Sequence, residues 1–388
     1  MRIDGHPKPY FLSYRVRHEE EFRLEAKFGA LTVDGVETRR SAFCDVRVGS
    51  YRNDQVRSGG LRDNSVEVES YHMVRLPFSG DGEGIRHALW RLTEARYREA
   101  IDDLLHRRAM ELSYLDEHRS LAAFERREPI EDFAYRRLPI PDMDRLRAFV
   151  RKASASFRRH PLLRDGAVRF FALNTYQIFV SSEGTTIVQC TPYLTLELYA
   201  WFLSPEGHGI PHTRSFFVRD PSELPTLEQL RREIRAMYRK LEALAKAPVI
   251  RSFSGPVLLD PRPAGLLMHE ALGHRLEGNR LLSSGEGQTF RDAIGNRILP
   301  EGIHVYDDPS LERFEGRSLV GHYAYDDEGV PAQRAELIED GVLQGFLTSR
   351  TPIAKKHRSN GHGRSAYHAR PISRMAVTVV EAEGGLGD

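Results

Sequence analysis

Residues 267–279 read LMHEALGHRLEGN, which places two histidines and a glutamate within one short segment that is predicted to be helical. Neutral imidazole nitrogens are good ligands for zinc, and a glutamate beside the first histidine can accept a proton from a water on the metal. His269 and His274 are therefore candidate metal ligands, and Glu270 is a candidate general base. No other stretch of the sequence offers comparable chemistry.

The two histidines are separated by one residue more than in the familiar H-E-x-x-H zinc motif. In a regular α-helix, at about 100° per residue, their side chains would point about 140° apart and could not bind one ion. We predict either a wider turn with i to i+5 hydrogen bonds or a kink at Gly273, where glycine removes a side chain from the crowded turn. On spacing alone, a metal site and a plain helix with a paired histidine and glutamate are equally good interpretations.

The flanks of the motif predict a short strand at residues 256–259 (PVLL) followed by the helix. Asp260 is a candidate N-cap, Pro261 suits the first helical turn, and Gly278 suits the end of the helix.

The segment HEALGHRLEGN resembles the H-E-x-x-x-H-x-x-E-G-[DN] signature of the TldD/PmbA metallopeptidase family, also called the modulator of DNA gyrase family. Residues 325–350 (YDDEGVPAQRAELIEDGVLQGFLTSR) and 359–375 (SNGHGRSAYHARPISRM) resemble two further blocks of that family, in the same order. Three ordered blocks are far more specific than one short match. The resemblance implies a zinc-dependent peptidase that acts on peptides or unfolded polypeptides and forms a homo- or hetero-dimer.

The third metal ligand is not identified by the resemblance, because the family supplies a cysteine well beyond these blocks. The two cysteines of the sequence, Cys44 and Cys190, lie far upstream of the motif. We expect the third ligand beyond Asp388. Five further histidines could take the place of this third ligand, but a loop or surface role is favoured for each of them: His304, His322, His357, His362 and His368.

Glu277 has two open interpretations, since it lies three residues after His274. It either orients that histidine by accepting a hydrogen bond from its ring or is an exposed acid near the end of a helix. The alternative for the whole chain is a catalytically inactive, peptide-binding or partner subunit of a TldD/PmbA-type dimer. Because the motif residues are all present, the active role is favoured.

The composition gives no sign of a nucleic-acid or membrane partner. The 388 residues include 56 basic and 55 acidic side chains, for a net charge of +1. No apolar run approaches the roughly 20 residues of a membrane span, and residues 1–9 lack the apolar core of a signal peptide. These features predict a cytoplasmic protein.

The periodicity along the chain predicts an α+β fold. Residues 1–250 are predicted to form an N-terminal region of meander strands and long helices, with a sub-boundary near residues 117–141, and residues 251–388 a mainly antiparallel β catalytic domain with an inserted motif helix. Turn signals are Asp34-Gly35 and Asp340-Gly341, and Thr226 with Gln229 has the pattern of a capping box.

Overall fold

The computed structural model of the chain describes residues 5–56, 73–78, 82–111, 120–138, 140–160, 162–204, 207–250, 252–282, 288–365 and 369–384. His368 and parts of the predicted sub-boundary, residues 117–119 and 139, lie outside the described residues.

The first part of the chain is built around one eight-stranded sheet with three helices. Its strands are β1 (Pro9–Lys27), β2 (Ala30–Ser50), β3 (Asn53–Asp54), β4 (Met73–Arg75), β5 (Glu131–Phe133), β6 (Leu163–Ser181), β7 (Thr186–Leu203) and β8 (Gly209–Val218). The order is β3-β2-β1-β6-β7-β5, with β4 on β2 and β8 on β7, and the described pairings are antiparallel except that of β5 with β7. The helices are α1 (Glu83–Glu111), α2 (Met143–Ser154) and α3 (Leu227–Lys246).

Alternation along β1 separates the two faces of this sheet. Its even-numbered apolar residues, such as Phe22 and Leu24, join the core beneath α2 and α3, and the equivalent face of β2 packs against α1 through Cys44 and its neighbours. Because successive side chains of a strand point to opposite faces, the polar side chains of Arg15 and Arg17 lie on the face away from the helices. That second face carries the C-terminal part of the chain.

The predicted turn at Asp34-Gly35 is wrong. Both residues pair within β2, opposite Leu24 and Arg23, and the chain reverses at Phe28 and Gly29, which have φ angles of 47° and 86°. Positive φ at both central residues is the geometry of the tight hairpin turn that continues the strand twist. A reversal at residues 34 and 35 would instead pair Leu24 with Asp45, and the apolar residues Cys44 and Val46 would then lie on the face opposite Leu24.

The other local predictions have mixed outcomes. The capping box of α3 is confirmed by hydrogen bonds in both directions between Thr226 and Gln229. The connection predicted at residues 117–141 contains strand β5, which is held by its pairing with β7. Residues 256–259 do not form the predicted strand, and Leu258 is fully exposed there.

The C-terminal part consists of α4 (Pro261–Ala271), β9 (Ile303–Asp307), β10 (Arg313–Phe314), β11 (Arg317–Ser318), β12 (Ala335–Glu339), β13 (Val342–Leu343), β14 (Gly363–Arg364), β15 (Ile372–Ser373) and β16 (Thr378–Ala382). Its main sheet has the antiparallel order β13-β12-β9-β16, and β10-β11 and β14-β15 form separate hairpins. The turn at Asp340-Gly341 is confirmed, with φ angles of 48° and 74°. The predicted α+β fold class is confirmed.

No helix among the described residues combines the length and apolar character that a membrane span requires.

Candidate metal centre

The motif helix ends between the two histidines. Helix α4 ends at Ala271, and a 3-10 turn follows at Gly273–Leu276. The break is therefore a tighter turn than the i to i+5 turn that the spacing suggested. Gly273 packs against Met375: a Cβ atom there would lie 2.1 Å from Sδ of Met375, so a side chain at this position would force the end of the methionine to move.

This change of helix type brings the two rings to one side of the chain. The ring centroids of His269 and His274 are 4.6 Å apart and the rings are inclined at 78°. One potential ligand atom from each of His269, Glu270 and His274 lies within 4.8 Å of the other two. Ligands of a tetrahedral zinc ion are about 3.3 Å apart at normal bond lengths. Because His269 and Glu270 are exposed, side-chain rotation can close the difference, and the donor set fits a metal ion.

Glu277 lies behind His274 and is 1 % exposed, so it is not a surface acid. Its Oε1 atom is 3.1 Å from Nδ1 of His274, and its Oε2 atom accepts a hydrogen bond of 2.9 Å from Nε of Arg280. Arg374 contacts both carboxylate oxygens from 3.4 and 3.5 Å. A neutral imidazole that donates from Nδ1 keeps its Nε2 lone pair free for a metal, and this nitrogen lies 3.9 Å from Oε2 of Glu270.

The backbone around Glu277 is fixed by the C-terminal core. Leu347 donates its N–H to the carbonyl of Leu276 at 2.9 Å, and its own carbonyl accepts from Gly278 at 2.9 Å. A Cβ atom at Gly278 would lie 2.7 Å from that carbonyl oxygen, so this close approach requires glycine. Gly278 does not end α4 as predicted; its role is to let the motif segment dock beside Leu347.

Replacing Glu277 with glutamine is expected to weaken zinc binding by about 10- to 100-fold, because an outer partner that orients a ligating histidine contributes on this scale. The amide keeps the shape but loses the charge that holds His274, Arg280 and Arg374 together. Zinc affinity is measured by competition with a chromophoric chelator. Glu301→Gln, at an exposed turn, is the matched control. Equal affinities in the two variants would contradict the orienting role.

The other candidate ligands are separated from this group. Within the described ranges, His269, Glu270 and His274 form the one cluster of three potential metal ligands. Cys44 lies in the core, and burial raises the pKa of its thiol. The described substitute histidines contact other groups: His304 contacts Glu383, His322 the carbonyl of Pro309, His357 that of Ser349, and His362 contacts Asp307.

The sequence did not reveal the environment of Asp326, Asp327 and Glu328. They form a turn, and all three are buried against the helix-free face of the large sheet. Burial opposes ionisation of Asp327, yet the guanidinium groups of Arg15, Arg364 and Arg17 hold its pKa well below its usual range.

The two flanking acids of this turn behave differently from Asp327. Burial raises the pKa of Asp326 to about 6, against hydrogen bonds from backbone amides. Burial and the charge of Asp326 together raise the pKa of Glu328 above its usual range. The only signal in the sequence was the charged alternation of β1.

A cleft of about 570 Å³ lies between this face of the sheet and the C-terminal part of the chain. One wall consists mainly of polar side chains from β1, β6 and β7, and the other includes His322, Arg364, Arg374 and Met375. Met375 also packs on Gly273, and Arg374 contacts Glu277. The wall formed by residues 374–375 therefore separates the cleft from the histidine motif by a single layer of side chains.

Comparison with known proteins identifies the C-terminal part. Residues 252–386 match the family model of the PmbA/TldA metallopeptidase C-terminal domain. A metalloprotease from Synechocystis sp. is 33% identical over 220 residues, which cover 54% of this chain and 44% of that protein. A metalloprotease TldD homolog from Haemophilus influenzae is 34% identical over 158 residues, covering 39% of this chain and 31% of the relative. The matched stretches thus span less than half of these curated relatives.

The fold comparison extends over nearly the whole chain. The solved structure of TldE from Thermococcus kodakarensis superposes with a TM-score of 0.56, covers 96% of this chain and 74% of that one, and is 16% identical. At this identity the superposition shows a shared fold. Together with the C-terminal match and the ordered motif blocks, it confirms the resemblance noted in the sequence, that of this chain to the TldD/PmbA metallopeptidase family.

Proposed function

We propose that this protein is a zinc-dependent metallopeptidase that hydrolyses peptides or unfolded polypeptides. The observation that carries the proposal is the convergence of His269, Glu270 and His274, with their potential ligand atoms within 4.8 Å of one another. The fixed contact between Glu277 and His274 supports it, because a ligating histidine normally donates its second ring N–H to such a partner.

Each motif residue has a distinct task in this proposal. His269 and His274 would hold one zinc ion together with a third ligand. When bound, zinc polarises the scissile carbonyl and makes a water molecule more acidic. Glu270 accepts the proton of the attacking water and passes it to the leaving amine, a transfer that general acid–base catalysis requires. Gly273 provides the break in the helix, and Glu277 fixes the ring of His274.

The remaining predictions extend the same proposal. We propose a cytoplasmic protein that acts as a homo- or hetero-dimer, with residues 1–250 as the N-terminal region and residues 251–388 as the catalytic domain. The alternative of an inactive peptide-binding subunit is not favoured, since the three motif residues are present and lie together.

Purified wild-type protein is expected to bind about one zinc ion per chain and to cleave casein, whereas His269→Ala should lose most of both properties, because two protein ligands are too few for a catalytic site. Metal content is measured by mass spectrometry after dialysis, and cleavage by release of labelled peptides. His106→Ala, on the exposed side of α1, is the matched control. Full zinc content and cleavage in His269→Ala would exclude the proposed site.

A further inference from the structure

The residues that line the cleft carry more positive than negative charge, with Arg17, Arg364 and Arg374 against Glu19 and Asp327. Asp327, its buried acid, is contacted by three guanidinium groups: Arg15 at 3.5 Å, Arg17 at 3.0 Å and Arg364 at 3.3 Å. One carboxylate cannot neutralise three cations. In the part of the chain that the structure describes, Nη2 of Arg15 also has no hydrogen-bond partner. The cleft's other acid, Glu19, lies 3.7 Å from Arg39.

Arg364 presents its guanidinium group to the cleft in a fixed orientation. The group lies 4.1 Å from the ring centroid of Tyr323, and the side chain is 34 % exposed. An aromatic face stabilises a guanidinium group and keeps its plane defined while the edge stays available for hydrogen bonds. The salt bridge of Arg364 to Asp327 is made through Nε, at 3.3 Å.

Arg374 is the second cation of this wall and is loosely held. Its side chain is 41 % exposed, and its contacts to Glu277 are long, at 3.4 and 3.5 Å. Arg280 donates to the same carboxylate at 2.9 Å, so Glu277 keeps a close cationic partner without Arg374. The guanidinium group of Arg374 can therefore bind another anion at little cost.

We propose that Arg364 and Arg374 form a carboxylate-binding subsite of the cleft, which selects peptides that carry a carboxylate group. The proposal rests on the proposed function only in taking a peptide as the ligand. A guanidinium group binds a carboxylate through two parallel N–H groups, which gives geometric selectivity as well as affinity. The carboxylate is either the side chain of an aspartate or glutamate or the C-terminal carboxylate of the peptide. Bound there, it would lie one side-chain layer from the histidine motif.

Fluorescence anisotropy of labelled peptides tests the subsite on the full chain in the presence of a chelator. Four peptides of one sequence are compared, with glutamate or glutamine at one position and with a free or amidated C-terminus. The peptide with both carboxylates is expected to bind at least about tenfold more tightly than the peptide with neither, as hydrogen bonds to charged groups contribute on this scale. The two intermediate peptides identify which carboxylate is bound.

Variants locate the effect at the two arginines. Arg374→Gln and Arg364→Gln should each remove most of the preference, and Arg364→Lys, which keeps the charge without the planar fork, should retain part of it. Arg334→Gln is the matched control, because Arg334 is exposed, pairs with Glu336 and does not line the cleft. Circular dichroism verifies that each variant is folded.

Equal binding of all four peptides would overturn the proposal, and so would an unchanged preference in both folded arginine variants. Failure of the proposed peptidase function would give a different result: zinc-loaded protein would cleave no peptide but would still bind peptides with a carboxylate selectively. Cleavage that is indifferent to peptide charge would leave the peptidase proposal intact and remove the subsite.

Discussion

Replacing Glu270 with glutamine is expected to lower kcat for peptide cleavage by about 10²- to 10⁴-fold, the range that one positioned proton-transfer group contributes. Glutamine has the size of glutamate but cannot accept the proton of the attacking water. Because Glu270 is exposed on α4, the change removes no packing and should leave the fold intact. The measurements are kcat for a fluorogenic peptide and the zinc content of the same preparation.

If Glu270→Gln loses activity, its zinc content distinguishes a role of Glu270 as a base from a role as a metal ligand. The carboxylate of Glu270 lies within 4.8 Å of potential ligand atoms of both histidines, so its position is compatible with a base and with a ligand. Retained zinc with lost cleavage supports the base, whereas lost zinc would make Glu270 the third ligand. Unchanged kcat would remove Glu270 from the reaction. Glu301→Gln, which lies at an exposed turn, should behave as wild type.

The geometry of the motif shows what local sequence could and could not predict. The spacing of His269 and His274 required a departure from regular helix geometry, and Gly273 marked its place. The structure forms a 3-10 turn there, in which Gly273 packs against Met375. That contact joins segments far apart in the chain. The pattern of residues 267–279 alone cannot predict this contact. The family blocks of the sequence include both Gly273 and Met375, but they do not show that the two residues touch.

Strand pairing shows the same division between local and distant information. Asp34-Gly35 and Phe28-Gly29 both offer a glycine in the second position of a tight turn, and local propensity favoured the first. With the reversal at Phe28-Gly29, Tyr14 pairs with Cys44 and the apolar residues of both strands share one face, whereas a turn at Asp34-Gly35 would put them on opposite faces. The register of the whole hairpin, rather than the turn residues, selects the reversal.

The burial of the turn formed by Asp326, Asp327 and Glu328 could not be predicted from the sequence for a related reason. A run of three acids between turn residues ordinarily lies in solvent, where it needs no partner. Here its partners come from β1, at the opposite end of the chain, and from β14. The charged residues at alternate positions of β1 indicated that its second face is polar, but not which segment would supply the opposite charge.

Asp327→Asn is expected to lower the free energy of unfolding by about 3–5 kcal/mol, the cost of removing one partner from a buried ion pair. The reason is the uncompensated charge that remains, chiefly on Arg15, whose side chain is 1% exposed. The low pKa of Asp327 means that the carboxylate is charged in the folded protein throughout the neutral range, so the loss should be fully present at pH 7. Urea unfolding followed by circular dichroism measures it.

Two further variants separate this charge effect from lost packing. Asp34→Asn is the matched control, because Asp34 also pairs with an arginine of another element, Arg147, but at the surface, and its unfolding should match wild type. Adding Arg15→Met to Asp327→Asn should recover about 1–3 kcal/mol, since the double variant no longer buries that unpaired cation. A double variant that is less stable than Asp327→Asn would show that Arg15 contributes through its contacts rather than through its charge. The attachment of the cleft's C-terminal wall to β1 would then depend on packing, and the surplus positive charge of the cleft would have no part in holding the fold together.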